Sequence, residues 1–167
     1  MTVGIAPMAF ELETERLVMG MWEESDAAWY RQLVGERGSE MPTPDAARSK
    51  IISLRGVAVD SGIALLTIRR RDEGNFIGYC GLTIGRSTLE EPEIAYELLR
   101  SAHGHGYATE AASAVLDAAV ATGRRRLWAT VRAWNTASFR VLEKIGFERC
   151  HSTWDEDGEL VWNAREL

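Results

Sequence analysis

A short loop with two glycines constrains this chain more than any other stretch. It reads His103-Gly104-His105-Gly106-Tyr107-Ala108-Thr109-Glu110-Ala111. An apolar segment, Ile94 to Leu99, precedes it, and an alanine-rich run of helical composition, Glu110 to Val120, follows. Strand, glycine loop and helix in that order put the loop at a helix N-terminus. Unpaired N–H groups and the positive end of the helix dipole attract phosphate there. Glycines let the backbone approach such a ligand without a Cβ in the way. The loop reads as a pyrophosphate cradle, with a plain connecting turn as the alternative.

Two common cradles fit poorly. The nucleotide P-loop needs a lysine and a hydroxyl residue directly after its last glycine, and this chain has Tyr107 and Ala108. The dinucleotide fingerprint needs a third spaced glycine and an acidic residue about 20 positions on. Here the third glycine is missing and the later region, Arg124-Arg125-Arg126, is basic.

A second segment carries its own pattern. The strand-like Leu127 to Ala133 leads into Trp134-Asn135-Thr136-Ala137-Ser138-Phe139-Arg140-Val141-Leu142-Glu143-Lys144-Ile145-Gly146-Phe147. Asn135 suits an N-cap, Phe139 and Leu142 form an apolar helical stripe, and Gly146 suits the position just past the helix end. Taken together, the two segments resemble the GNAT superfamily of acyl-CoA-dependent N-acyltransferases. In that family a Gln/Arg-x-x-Gly-x-Gly/Ala loop holds the CoA pyrophosphate, and His103, Gly106 and Ala108 stand at the matching positions, His103 departing from the usual residue. The closer resemblance is to the RimJ/RimL branch, which acetylates N-terminal amines of ribosomal proteins. Glu93-Ile94-Ala95-Tyr96, the loop, and Asn135 to Phe147 carry it, while Leu99-Arg100 replaces an Asp-Pro often found there.

The resemblance implies an acetyl-CoA-dependent N-acetyltransferase acting on a primary amine, either a protein N-terminus or a small-molecule amine, by direct transfer in a ternary complex. A non-catalytic acyl-CoA sensor is the alternative. It implies that Tyr96, Leu98 and Leu99 pair with the pantetheine arm like an added strand. The loop residues His103, Gly104, His105, Gly106, Tyr107, Ala108 and Thr109 would cradle the pyrophosphate. Asn135 would contact pantetheine, Lys144 would offer charge to the phosphates, and Ser138 would stand near the sulfur as acid or thiolate partner. A RimI-like base and acid are disfavoured, because Thr130 and Leu142 occupy those positions.

Glu93 and Glu97 fall on one face of a regular strand. Either carboxylate could take a proton from an ammonium. Glu97 is the expected catalytic group and Glu93 the expected acceptor-orienting group, and no dedicated base at all stays open. No metal is expected. His103 and His105 lack a nearby third ligand in sequence. Trp22, Trp29 and Tyr30 lie where the family shapes its acceptor pocket, though aromatic core packing is the better default for them.

Composition agrees with one enzyme domain over 1–167, with 1–9 as an N-terminal extension. The chain has 167 residues, 46% of them hydrophobic and 26% charged, which suffices for a core. The net charge of −6 suits a cationic amine better than nucleic acid or an anionic membrane. No apolar run reaches the ~18 residues of a membrane span, and the first residues lack a basic signal-peptide start. Cys80 and Cys150 are too few for a disulfide scaffold and both read as buried thiols in a cytoplasmic protein. A homodimer is compatible with the resemblance.

The coarse element order is strand, two helices, three strands, helix, strand, helix, two strands. That is α/β (α+β), with a GNAT-like fold. A central, twisted, mixed and mostly antiparallel sheet of six to seven strands would be flanked by about four helices.

Overall fold

The computed structural model describes residues 4–167. Eight strands and four helices follow one another as β1 (Leu12–Glu13), β2 (Leu17–Gly20), α1 (Ala27–Glu36), α2 (Pro44–Ser61), β3 (Leu65–Arg70), β4 (Phe76–Thr83), β5 (Glu93–Leu98), α3 (Tyr107–Ala121), β6 (Arg126–Arg132), α4 (Thr136–Lys144), β7 (Glu148–Asp155) and β8 (Gly158–Glu166). Single 3₁₀ turns at Glu24–Asp26 and Arg100–Ala102 precede α1 and α3. All eight strands join one sheet in the order β1-β2-β3-β4-β5-β6-β8-β7.

The sheet has more strands than the six to seven expected, because Phe10 to Met19 is not one strand. Thr14 turns it into a hairpin. Its N–H donates to the Leu17 carbonyl at 2.9 Å, and its hydroxyl accepts from the Leu17 N–H at 3.1 Å. The other boundaries follow local chemistry. Thr43 caps α2 by accepting from the Ala46 N–H at 3.1 Å, and Pro44 takes the first helical position, where its missing N–H costs nothing. Gly62, at φ 75, closes α2 in the left-handed conformation. Asp26 stands at the N-cap of α1, but its side chain makes no cap hydrogen bond. Asp26 instead accepts from the Glu23 N–H at 2.9 Å and pairs with Arg69 in a buried site.

The two sheet faces carry different layers. One face buries Leu66, Ile68, Cys80, Leu82 and Ile94 against Ala111, Ala112, Val115 and Ala119 of α3 and against Phe139 and Leu142 of α4. Small alanines let α3 lie close on β4 and β5. The other face buries Trp22, Leu33, Ile51, Phe76 and Leu99 beneath α1 and α2. Each such large side chain contributes roughly 1.5–3 kcal/mol of burial free energy.

Three features of the packing stand out, and one of them corrects an expectation, the burial of Cys150. The N-terminal extension is packed from residue 6: Ala6 donates to the Thr122 carbonyl at 2.9 Å, Met8 donates to the Gly62 carbonyl at 2.8 Å, and the Met8 side chain enters the core. Of the two cysteines, Cys80 is buried and burial pushes its thiol pKa up, but Cys150 is exposed because β7 is an edge strand open on both faces. Arg124 is no part of a solvated arginine run. It is buried and donates to the carbonyls of Leu89 at 3.0 Å and Ala6 at 3.3 Å.

Candidate active site

The sheet is antiparallel except at its centre, where β5 and β6 run parallel and share one bridge, Glu93 with Trp128. Beyond that bridge the strands part. Backbone direction shows what faces the gap. The Leu99 N–H donates to the Ile77 carbonyl at 2.8 Å in an unbroken register with β4. Antiparallel strands alternate bonded and non-bonded pairs, so Glu93, Ala95 and Glu97 turn their backbone groups toward β4, while Tyr96 and Leu98 turn theirs into the gap. On β6 the same reasoning from Ala133 N–H to Glu159 O at 3.2 Å leaves Thr130 and Arg132 facing the gap. Buried backbone polar groups are nearly always paired. An open edge in mid-sheet is therefore a place for an extended ligand.

One end of this gap meets the glycine loop. Gly104 and Gly106 both have φ 78, a conformation that excludes other residues at low cost. Gly106 is the N-cap of α3. Glu110 is the first α3 residue whose N–H returns to the loop, donating to Gly106 O at 3.1 Å. The N–H groups of Tyr107, Ala108 and Thr109 precede it, and helix geometry leaves them without an intrahelical acceptor. A Cβ on Gly104 would meet nothing within 4 Å, and one on Gly106 only the Arg16 guanidinium at 3.5 Å, so the cradle is open. The residues present fit an anionic diphosphate.

Arg16 is the residue that sequence reading missed here. Its Nε donates to Glu110 Oε1 at 2.7 Å, its Nη1 to the His105 carbonyl at 2.9 Å, and its guanidinium covers the Tyr107 ring at 4.5 Å. Thr14 and the Arg16 backbone N–H also donate to Glu110. Burial pushes the Glu110 carboxyl up, but these donors outweigh it and hold the pKa below the usual range. The β1–β2 hairpin thus clamps the loop. No spacing in a single sequence pairs position 16 with 110.

α4 begins across the gap. Asn135 Oδ1 accepts from the Ser138 N–H at 3.3 Å, as its N-cap reading requires, and the Asn135 N–H donates to the Arg132 carbonyl at 2.9 Å. The Tyr96 hydroxyl donates to the Ser138 carbonyl at 3.0 Å. Burial pushes the Tyr96 pKa up, so the phenol stays neutral. Tyr96, Asn135 and the main chain of Ser138 are therefore brought together, with Ser138 half-buried.

Glu93 and Glu97 do share a face, as expected, with Trp128, Thr130 and Arg132 alongside by the parallel bridge. Their surroundings differ. Both Glu97 oxygens accept from Arg37 Nε, at 2.9 and 2.7 Å. An ion-paired carboxylate must break its pair to take a proton, which opposes the expectation that Glu97 is the base. Tyr79 beside it is pushed up to about 12 by burial and by the Glu97 charge. Glu93 is 4% exposed, its Oε2 accepts from the Arg86 N–H at 2.9 Å, and its Oε1 has no partner among the described residues.

The Acetyltransferase (GNAT) domain family matches residues 16–148. The chain belongs to that family. The GNAT chain is 27% identical over 146 residues to the uncharacterized N-acetyltransferase p20 of Bacillus licheniformis, spanning 83% of this chain and 82% of that protein. Among solved structures it resembles an acetyltransferase of Agrobacterium tumefaciens, with 26% identity, a TM-score of 0.79 and 94% of each chain covered. It also shares its fold with Mycobacterium smegmatis RimJ in complex with a CoA disulfide, at 22% identity and a TM-score of 0.75 over 90% of this chain and 82% of that one. Fold, element order and family agree on a GNAT acetyltransferase.

Three residues of this GNAT domain, Leu99, His103 and Lys144, sit differently from expectation, and Trp22 takes its default place. Leu99 lies outside the open edge: its N–H donates to Ile77, its carbonyl accepts from Ala102 at 2.9 Å, and its side chain is buried beneath α1. His103 turns its ring back, Nε2 lying 3.0 Å from the Leu98 carbonyl, while the His105 ring packs on Tyr107, so the two do not converge as a ligand pair. Lys144 is exposed at the last turn of α4, about 13 Å along the helix from Asn135. Trp22 belongs to the core rather than an acceptor pocket, with Tyr30 and Phe76 against it.

Proposed function

We propose that this GNAT enzyme transfers the acetyl group of acetyl-CoA to a primary amine, a protein N-terminus or a small-molecule amine, by direct attack in a ternary complex. The observation that carries the reading is the unpaired edge of β5, ending at an open glycine cradle. Tyr96 presents an N–H and a C=O and Leu98 an N–H to an extended chain, as an added strand requires, while His103 holds the Leu98 carbonyl. The amide-bearing pantetheine arm has that form. Gly104 to Thr109 then receive the pyrophosphate on free N–H groups. Asn135 flanks the arm, and Lys144 remains an outlying charge for the phosphates.

Acetyl-CoA supplies a thioester, and the chain has to place it, orient the amine and manage two protons. A backbone N–H on the open edge of β5 is suited to hold the carbonyl oxygen as it becomes an oxyanion. Glu93, on the opposite face from Tyr96, orients the ammonium through its free oxygen. Deprotonated, the amine attacks the carbonyl carbon; the N–C bond forms and the C–S bond breaks. The Ser138 hydroxyl donates to the leaving thiolate and is reprotonated from solvent. Of the two protons the ammonium loses in all, one balances the thiolate and one leaves to water. Two free cysteines and the RimJ-like fold support a cytoplasmic setting for this chemistry.

The test is thiol release from acetyl-CoA with N-terminal peptides, polyamines, amino acids and aminoglycosides, together with calorimetric CoA titration. Binding and turnover on one acceptor class are expected. Binding without turnover on any class favours an acyl-CoA sensor, and absence of binding overturns the reading.

A further inference from the structure

Arg86 lies in the connection between β4 and β5 and reaches across the mouth of the gap. Its backbone N–H donates to Glu93 Oε2 on β5 at 2.9 Å, while its Nη1 donates to Thr130 Oγ1 on β6 at 3.3 Å. One residue thus spans the two diverging strands on the face that carries Glu93. Gly85 beside it packs so tightly that a Cβ there would overlap the Glu93 carboxylate.

Several charges on this side of the sheet are matched by partners. Arg37 pairs with Glu97, Arg126 with Glu166, and Arg132 with Asp155 and Asp157. Asp155 is already held by Arg132 at 2.8 Å, so its weaker attraction to Arg86 leaves that guanidinium without an ion pair among the described residues. Arg86 is exposed and its one side-chain hydrogen bond is long and goes to a neutral hydroxyl. Beneath it, Glu93 Oε1 is buried and has no donor. Buried polar atoms are rarely left so, and each one calls for a partner. A carboxylate oxygen lacking a donor and a guanidinium lacking an anion lie one residue's reach apart, at the acceptor side of the gap.

We propose that Arg86 and Glu93 select a zwitterionic acceptor, an amine with a carboxylate close by, as in a free α-amino acid. Glu93 Oε1 receives the ammonium. The Arg86 guanidinium exchanges its bond to Thr130 for a two-pronged bond to the carboxylate, the geometry that arginine favours. A peptide N-terminus with neutral neighbours offers no anion at this distance and leaves Arg86 where it is. This proposal rests on the acetyl-transfer reading above and narrows its acceptor.

The test compares L-amino acids with their carboxamides, which keep the amine and lose the anion. Binding of each is followed by calorimetry on protein saturated with CoA, and KM by thiol release. Wild type should bind the acids at least about tenfold more tightly than the amides, one charge-assisted bidentate contact being at stake. Arg86→Gln should bring that ratio near one, with Arg86→Lys between. Glu93→Gln should weaken acid and amide together and keep the ratio. A wild type that treats acid and amide alike, or an Arg86→Gln that keeps the preference, overturns the proposal. So does a protein that binds CoA and ignores every amino acid. A protein that does not bind CoA at all fails at the earlier reading instead, so the two failures are distinct.

Discussion

Gly104 and Gly106 offer a matched pair of perturbations in one loop. Both hold φ 78, so an L-residue at either pays the same left-handed backbone strain, roughly 1–2 kcal/mol. Neither Cβ meets an obstacle within the protein, since Gly104 has nothing within 4 Å and Gly106 only the Arg16 guanidinium at 3.5 Å. Gly104→Ala and Gly106→Ala should therefore melt alike, about 2–8 °C below wild type at this chain length. CoA should tell them apart. Gly106 is the N-cap and stands at the motif glycine, directly before the free N–H groups of Tyr107 to Thr109, whereas Gly104 stands at a variable position of the motif, two residues further from them. A methyl at 106 displaces the diphosphate from at least one charge-assisted hydrogen bond, about 1.5–3 kcal/mol, which is about tenfold or more in Kd. Calorimetric titration with CoA and with acetyl-pantetheine, which lacks the diphosphate, reads this directly. Gly106→Ala should weaken CoA and spare acetyl-pantetheine, and Gly104→Ala should weaken CoA little. Equal CoA affinities in the two variants, or equal damage to both ligands, would refute the assignment of the cradle.

Ser138→Ala should keep CoA affinity and melting temperature, because the structural contacts of Ser138 are main-chain, and should lower kcat about 10²-fold; unchanged turnover removes the hydroxyl from the mechanism. Glu110→Gln loosens the clamp on the loop. The native Glu110 pKa lies below the unfolded value of about 4.3, so its contribution is complete above that pH and is lost as pH falls through the native pKa. The melting-temperature gap between wild type and Glu110→Gln should be wide at neutral pH and close in acid, and a gap independent of pH contradicts the clamp. A thiol reagent should label Cys150 promptly in the native protein and Cys80 only after unfolding, read by mass after a timed quench; prompt double labelling would contradict the burial of Cys80.

Much of this architecture is legible in the chain because its signals are local. The glycine loop and the Asn135 cap each depend on neighbours within a few positions, and the structure places them as read. One local reading failed for a local reason of another kind. Thr14 can turn a strand by bonding its own backbone three residues on, and nothing in the alternation of Phe10 to Met19 announces that. Asp26, at the start of α1, is claimed instead by Arg69 of β3, 43 positions away. What stayed hidden is long-range: the Arg16 clamp on Glu110 spans 94 positions and the Arg37 pair with Glu97 spans 60.

The two strand glutamates show why spacing alone could not assign their roles. Period-two geometry correctly put Glu93 and Glu97 on one face, and it treats them as equals. The difference comes from what other elements bring to each. The end of α1 delivers Arg37 to Glu97, and a carboxylate so paired loses an ion pair if it is protonated or redirected to an acceptor. The β4–β5 connection delivers only one backbone N–H to Glu93 and leaves its second oxygen buried without a donor. An arriving ammonium therefore relieves an existing deficit at Glu93 and would have to compete with an existing partner at Glu97. The same divergence of β5 from β6 that opens the backbone edge on one side of the sheet also exposes this asymmetry on the other. The proposed acceptor contact therefore falls to Glu93, while Arg37 holds Glu97 in an ion pair.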